Sequence, residues 1–300
     1  MPPFTLATLR SPQRPQAAIS VEGYYYLINE LQPELHSTVR TLLDHWETSL
    51  PMLEELADHI VSGKAGTVSR IDQTMVEFET PVMFPDKLMA VGANYSGHLK
   101  EMGLDPKKWA SMPFFLRPPK TTLVGSGETV QIPKSTKQFD WELELVAIVG
   151  KRLRHASKEE AAAAVAGYSI GLDLSCRDLI EVDNDLKIDL VRGKAQDTMA
   201  PCGPYLMPAK FVPDPYNLHL QLWVNDEKMM DASSAEMLYH IDEQLSIISE
   251  YLTIEPGDML FTGSPSGSAG VHGGRFLKPS DRIHAEIENI GSLDVIMRQD

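Results

Sequence analysis

Residues 139–150 read FDWELELVAIVG, and the way this stretch is read decides the fold. Side chains alternate in facing along a strand, so Phe139, Trp141, Leu143 and Leu145 share one side while Asp140, Glu142 and Glu144 share the other. Glu142 and Glu144 then project in parallel about 6.6 Å apart at the backbone, near enough for both carboxylates to meet one ion. Unpaired, the two repel, and one pKa rises unless a cation sits between them. A half-exposed strand with an acidic outer face is the plainer account of a lone E-x-E, and other segments of the chain weigh against it.

The 300 residues, 43% of them hydrophobic, suffice for a large core in one domain or two. A formal charge of −15 disfavours nucleic acid or an anionic membrane as partner, because phosphate binding draws on clustered Lys and Arg. Cys176 and Cys202 are the only cysteines, which excludes a disulfide framework, and neither has the spacing of a zinc site. A reducing cytoplasm fits this usage. The first twenty residues hold no apolar run of signal-peptide length, and the Ala-rich run near Ala161 is too short to span a bilayer, so an intracellular protein with no membrane segment is expected.

In order along the chain, Ala17–Ser20 and Tyr24–Ile28 read as strands joined by a turn at Glu22 and Gly23. Leu42, Leu43, Trp46, Leu50, Leu53, Leu56 and Ile60 have helical spacing, with Pro51 predicting a break into two helices. A polar segment, Ser62–Thr67, and a Pro-punctuated one, Thr80–Lys87, place a domain boundary near residue 80, giving units 1–80 and 81–300. In LMAVGANYSGHLKEMG, residues 88–103, a short strand leads to a helix with Ser96 as its cap, on which His98 and Glu101 face the same way. Residues 114–125 read as extended, with Pro118 and Pro119 opposing a helix. His155–Ala166 reads as a helix capped by Ser157 and ended by Gly167. The strand after it carries Asp173 inside an apolar run, where a charge needs a partner or an ion. Residues 181–192 are acidic and aperiodic and read as a mobile loop; 218–225 reads as a strand, and 234–252 as a helix with a core stripe from Met237 to Leu252. Pro256–Asp258 turns into the strand and small-residue loop MLFTGSPSG, and Asp281–Met297 closes the chain as a strand pair.

Together these segments resemble the fumarylacetoacetate hydrolase family over roughly residues 85–298. The family's N-Y-x-x-H-x-x-E is matched by Asn94, Tyr95, His98 and Glu101, its E-x-E by Glu142 and Glu144, and its G-Y-x-x-x-x-D-x-x-x-R-D by Asp173, Arg177 and Asp178. Gly193, Lys194, Asp197, Pro201, Gly203 and Pro204 match a further segment, and Pro256–Gly267 matches P-G-D-x-x-x-T-G-[TS]-P-x-G with Ser264 at the usual threonine. The sequence departs from the pattern at Arg117, often lysine, at Lys228–Met230, often a Gln-containing R-Q, and at Gly267–Gly274, which adds His272.

The resemblance implies an α+β fold, a mixed β-sheet roll with a smaller amino-terminal α/β domain, usually as a homodimer. It implies Glu142, Glu144 and Asp173 as metal ligands, and three carboxylates with no soft ligand suit Mg²⁺ or Mn²⁺ rather than zinc. His98 held by Glu101 is the expected base and Lys194 the fixed positive charge. Tyr95, Arg177, Ser264 and Arg117 are expected to contact a 2-oxo acid substrate, Arg117 by gripping a distal carboxylate with its planar fork. The implied activity is hydrolytic C–C cleavage of an acylpyruvate-like 1,3-diketo acid; the alternatives are a lyase or isomerase on the same ion, acting on oxaloacetate-like or 2-oxo-enoic acids, and a metal-binding protein without catalysis.

Overall fold

The E-x-E strand is interrupted at Trp141 and Glu142: Phe139–Asp140 pairs with Ser175–Cys176, and Leu143–Val149 continues as a separate strand buried along its whole length. A computed structural model describes residues 2–33, 35, 38–66 and 68–300; Met1 and Thr67, each the end of a segment read from the sequence, lie outside the described residues. The alternation holds, with both sides covered. Leu143, Leu145, Ala147 and Val149 enter one core cluster, and Val146 and Ile148 enter another. Glu142 and Glu144 therefore occupy, at one end, the facing that Val146 and Ile148 fill further along.

Among the described residues, Leu143–Val149 lies inside an eleven-stranded mixed sheet. On one side follow Val165–Leu172 and Ala200–Pro208; on the other, Met259–Phe261, Leu88–Val91 and the edge strand Phe114–Arg117. Most pairings are antiparallel, but Met259–Phe261 runs parallel to Leu88–Val91. A second sheet of five strands, with His219–Val224, Arg282–Ile287 and Gly291–Gln299 at its middle, packs on the first through Leu220, Leu222, Ile283, Ala285, Leu293 and Val295. This is the expected α+β roll. The amino-terminal strands join the same sheet, Phe4–Leu9 pairing with Ala200–Pro208 at Leu6 and Leu206. Their hairpin turns where expected, with Glu22 and Gly23 both at positive φ between paired Val21 and Tyr24.

Several local expectations are corrected. The helix break falls at Asp44 and His45, and Trp46–Val61 runs through Pro51. Pro51 and Glu47 are both exposed, so the carbonyl that proline leaves unbonded lies on the solvent side, while Leu53, Leu56 and Ala57 bury the opposite stripe. Pro119 starts a single helical turn, Pro119–Thr122, because the first helical position needs no N–H. The Ser157 capping box with Glu160 is present, but the helix is only Lys158–Ala163 and the strand begins at Val165, with Gly167 inside it. The 234–252 segment splits into a 3₁₀ turn, Ser234–Glu236, and the helix Ile241–Tyr251. Ser96 is the first helical residue rather than the cap, which is Tyr95. Residues 181–192 include a bridge between Glu181 and Ile188, after which Asp189 caps the helix Leu190–Lys194.

Gly171 faces Glu144 in the ladder, and a methyl group there would lie 2.5 Å from side-chain atoms of both Phe261 and Val146. Gly171→Ala is therefore expected to lower stability by about 1–3 kcal/mol through overpacking. The check is a lowered denaturant midpoint at unchanged m-value.

Candidate active site

Three carboxylates converge because two neighbouring strands deliver them. Glu144 lies on the strand Leu143–Val149 and Glu142 in the break just before it, and the ladder continues there as Asp173 N–H donates to the Glu142 carbonyl at 2.9 Å, which sets Asp173 across from Glu142. One oxygen from each of the three lies within 4.8 Å of the others, and all three residues are buried. The acidic face is thus interior, and the half-exposed account of the E-x-E fails.

Three cations pack on these carboxylates. Lys194 Nζ, at the end of its short helix, donates to Glu142 Oε2 at 2.5 Å and also to Asp173. Arg177 donates through Nε to Asp140 at 2.8 Å and through Nη2 to Glu142 at 2.5 Å. Arg117 donates to Asp173 and, through Nη2, to the Met199 carbonyl at 2.7 Å. Burial alone would raise the Glu142 carboxyl, but Arg177 and Lys194 outweigh it and hold it well below the usual carboxylate range. Glu144 goes the other way: burial, and then the charge of Glu142, push it up to about 8. Burial also lowers the Lys194 ammonium, with Glu142 opposing.

Glu144 is the informative member. Its Oε2 accepts only a backbone bond, from Gly263 N–H at 2.8 Å, and among the described residues no cationic side chain forms an ion pair with it. A buried carboxylate with hard oxygen neighbours and no direct ion pair, which the charges of Lys194 and Arg117 only partly offset, fits a divalent cation shared with Glu142 and Asp173.

Beside the cluster stands the His98–Glu101 pair on the helix Ser96–Glu101. His98 Nδ1 pairs with Glu101 Oε2 at 2.8 Å, and its Nε2 points at the cluster, 3.7 Å from Glu142 Oε1. Asn94 fixes the approach to this helix, donating to the Thr262 carbonyl at 2.7 Å and accepting from Tyr239 N–H at 2.8 Å. Tyr95 is wholly buried; burial, with Glu144 nearby, raises its phenol. Ser264 is buried and donates to the Pro265 carbonyl at 3.2 Å.

Every expected residue is therefore placed, and the guanidinium groups of both arginines already have carboxylate partners. The Arg117 side chain is fully buried, with its fork taken by Asp173 and Met199, so in place of the expected grip on a distal carboxylate it is a counter-charge behind the carboxylate cluster. Arg177 is spanned between Asp140 and Glu142. Sequence reading also missed Asp140, which accepts from Ala269 N–H at 2.9 Å as well as from Arg177; its place on the Glu142 facing was the available signal. The backbone N–H of Gly263, which donates to Glu144, that of Gly267, which donates to Glu101, and the carboxylate of Glu236, which accepts from Gly97 N–H at 2.9 Å at the start of the His98 helix, left no such signal.

The C-terminal domain model of fumarylacetoacetate (FAA) hydrolase matches residues 87–296. The chain belongs to the fumarylacetoacetate hydrolase family. The human mitochondrial oxaloacetate tautomerase FAHD2B is 32% identical over 267 residues, 88% of this chain and 81% of that one. The maleylpyruvate hydrolase of Sphingobium sp. SYK-6, solved with manganese(II) and pyruvate, superposes with a TM-score of 0.77 at 26% identity over 98% of this chain and 99% of that one. The fumarylpyruvate hydrolase of Pseudomonas aeruginosa, with Mn²⁺ and pyruvate, gives 0.64 at 29% identity over 78% and 94%. These relatives are enzymes, and this chain is an enzyme of the same family. Among the described residues no helix is long and apolar enough to cross a membrane.

Calorimetric titration with Mn²⁺ or Mg²⁺ is expected to show one ion per chain. Glu144→Gln, which keeps shape and removes charge, is expected to weaken binding by at least about 100-fold, since even groups behind a ligand are worth roughly 10–100-fold. Unchanged affinity in the variant would place the ion elsewhere.

Proposed function

We propose that this enzyme hydrolyses a C–C bond in an acylpyruvate-like 1,3-diketo acid, with Glu142, Glu144 and Asp173 as ligands to Mg²⁺ or Mn²⁺. The observation that carries the reading is the carboxylate cluster lying beside a histidine whose Nε2 faces it, 3.7 Å from Glu142. A divalent cation held there would supply Lewis-acid polarisation of the adjacent oxygens of a 2-oxo acid.

The side chains divide the remaining work. His98 Nε2 takes a proton from water while Glu101 keeps the ring oriented and stabilises the imidazolium. The hydroxide adds to the distal acyl carbonyl, the C–C bond breaks, and its electron pair passes to the departing pyruvate enolate. Lys194 offers fixed positive charge to that oxyanion in a buried site, where such charge is strongest, and the Ser264 hydroxyl offers a hydrogen bond. The proton held on His98 returns to the enolate carbon, so a free acid and pyruvate leave. The maleylpyruvate and fumarylpyruvate hydrolases, both solved with Mn²⁺ and pyruvate, support this choice of substrate class. Tyr95 and Arg177 belong to the proposal as groups bordering the substrate. So do an amino-terminal domain over residues 1–80, a homodimer and a cytoplasmic place, the last in keeping with two free, buried cysteines.

A second reading has its own support. The 32% identity to an oxaloacetate tautomerase over 88% of the chain favours keto–enol exchange of an oxaloacetate-like acid, in which the same base moves a proton at carbon and no water is consumed.

Purified protein with Mg²⁺ is expected to convert a panel of acylpyruvates to pyruvate and the free acid, and His98→Ala to lower this turnover by about 10² or more with metal affinity intact. No acylpyruvate cleavage together with rapid, His98-dependent enol–keto exchange of oxaloacetate would select the second reading. Fast decarboxylation indifferent to His98 would select a lyase.

A further inference from the structure

The loop after Ser264 touches the base from two sides. Gly267 N–H donates to Glu101 Oε1, and Ser268 Oγ donates to Glu101 Oε2 at 3.4 Å, the oxygen that also holds His98. At the other end of the same helix, Ser266 packs on Gly97 so closely that a methyl group on Gly97 would meet its Oγ at 3.0 Å. The loop is held from below. Trp141 Nε1–H donates to the Gly267 carbonyl at 2.9 Å, Asp140 accepts from Ala269 N–H, and His272 Nε2–H donates to the Met229 carbonyl at 2.8 Å. Gly267 itself sits at φ +118, and a Cβ there would lie 2.8 Å from that same Met229 carbonyl and 2.7 Å from Met230 Cγ.

Two departures of this sequence from the family pattern, Lys228–Met230 and the loop with His272, are thus in contact with each other. We propose that His272 is a positioning residue: by tying the loop to the Met229 carbonyl it sets the height of the Gly267 amide, and through that amide the Glu101 carboxylate and the His98 ring. The inference rests on the reading of His98 and Glu101 as the base. His272 touches neither dyad residue nor metal ligand, so its effect passes through geometry. Displacement of a base by a fraction of an ångström lowers proton transfer while leaving substrate chelation alone. Metal affinity and KM are accordingly expected to stay with the wild type while kcat falls.

The test compares His272→Leu, which keeps bulk and loses the donor, with His272→Gln, whose amide can donate again. Acylpyruvate turnover in His272→Leu is expected to fall by about tenfold or more in kcat alone, with His272→Gln recovering most of it. Amide hydrogen exchange across residues 97–102 is expected to quicken in the leucine variant and not in the glutamine one. Wild-type kcat in His272→Leu overturns the proposal, as does an equal loss of metal affinity or failure of glutamine to rescue. His98→Ala, assayed alongside, separates the two ideas: an active His98→Ala removes the base reading, and hydrogen exchange alone then decides whether His272 holds the helix.

Discussion

Negative charge placed between paired strands is the constraint from which the rest of this structure follows. Four carboxylates, Asp140, Glu142, Glu144 and Asp173, are buried on adjoining strand ends, and burying even one unpaired carboxylate costs several kcal/mol. Arg117, Arg177 and Lys194 answer three of them from three separate elements: an edge strand, a turn after the Ser175–Cys176 strand, and a short helix ended by the lysine. The fourth carboxyl, Glu144, has a backbone amide as its direct partner and no side-chain ion pair among the described residues. The number of side-chain cations thus leaves one carboxylate without a direct partner, in keeping with the proposed divalent ion.

Much of this was legible in the sequence because strand parity is a local property. Phe139 to Val149 declared which residues face together, and the structure keeps that facing even though the strand breaks at Trp141 and Glu142. Spacing on one helical turn likewise declared that His98 and Glu101 meet. What stayed hidden was nonlocal. Nothing near Arg117 says that its partner lies 56 residues later, and a guanidinium reads equally well as a hand for substrate or as a counter-charge for a ligand. Backbone donors have no letter of their own, so the amides of Gly263 and Gly267 were invisible although both end on site carboxylates. The proline errors share one cause: Pro51 and Pro119 were judged by residue type, whereas position in the helix and exposure decide what proline costs.

A scaffold of this kind explains how relatives that cleave and relatives that tautomerise can share it. The carboxylate cluster sits on rigid, fully buried sheet, while the histidine sits on a six-residue helix held by loop contacts. On the proposed function, binding of a 2-oxo acid would draw on the sheet, and whether water or carbon gives up the proton would depend on where the helix holds the ring. Variation confined to the loop would then leave the cluster untouched and alter the chemistry beside it.

The edge of the large sheet gains something from this arrangement as well. Phe114–Arg117 is the last strand of its row, and such strands are the usual places where sheets fray or recruit a neighbouring chain. Here the terminal residue of the edge is a fully buried arginine bonded to Asp173. Peeling the strand away would take the arginine from that buried carboxylate and leave it to Lys194, already shared with Glu142, so local opening at this edge is coupled to an unfavourable electrostatic event. The ion pair that shapes the catalytic interior is also a lock against strand exchange and aggregation at the sheet's border.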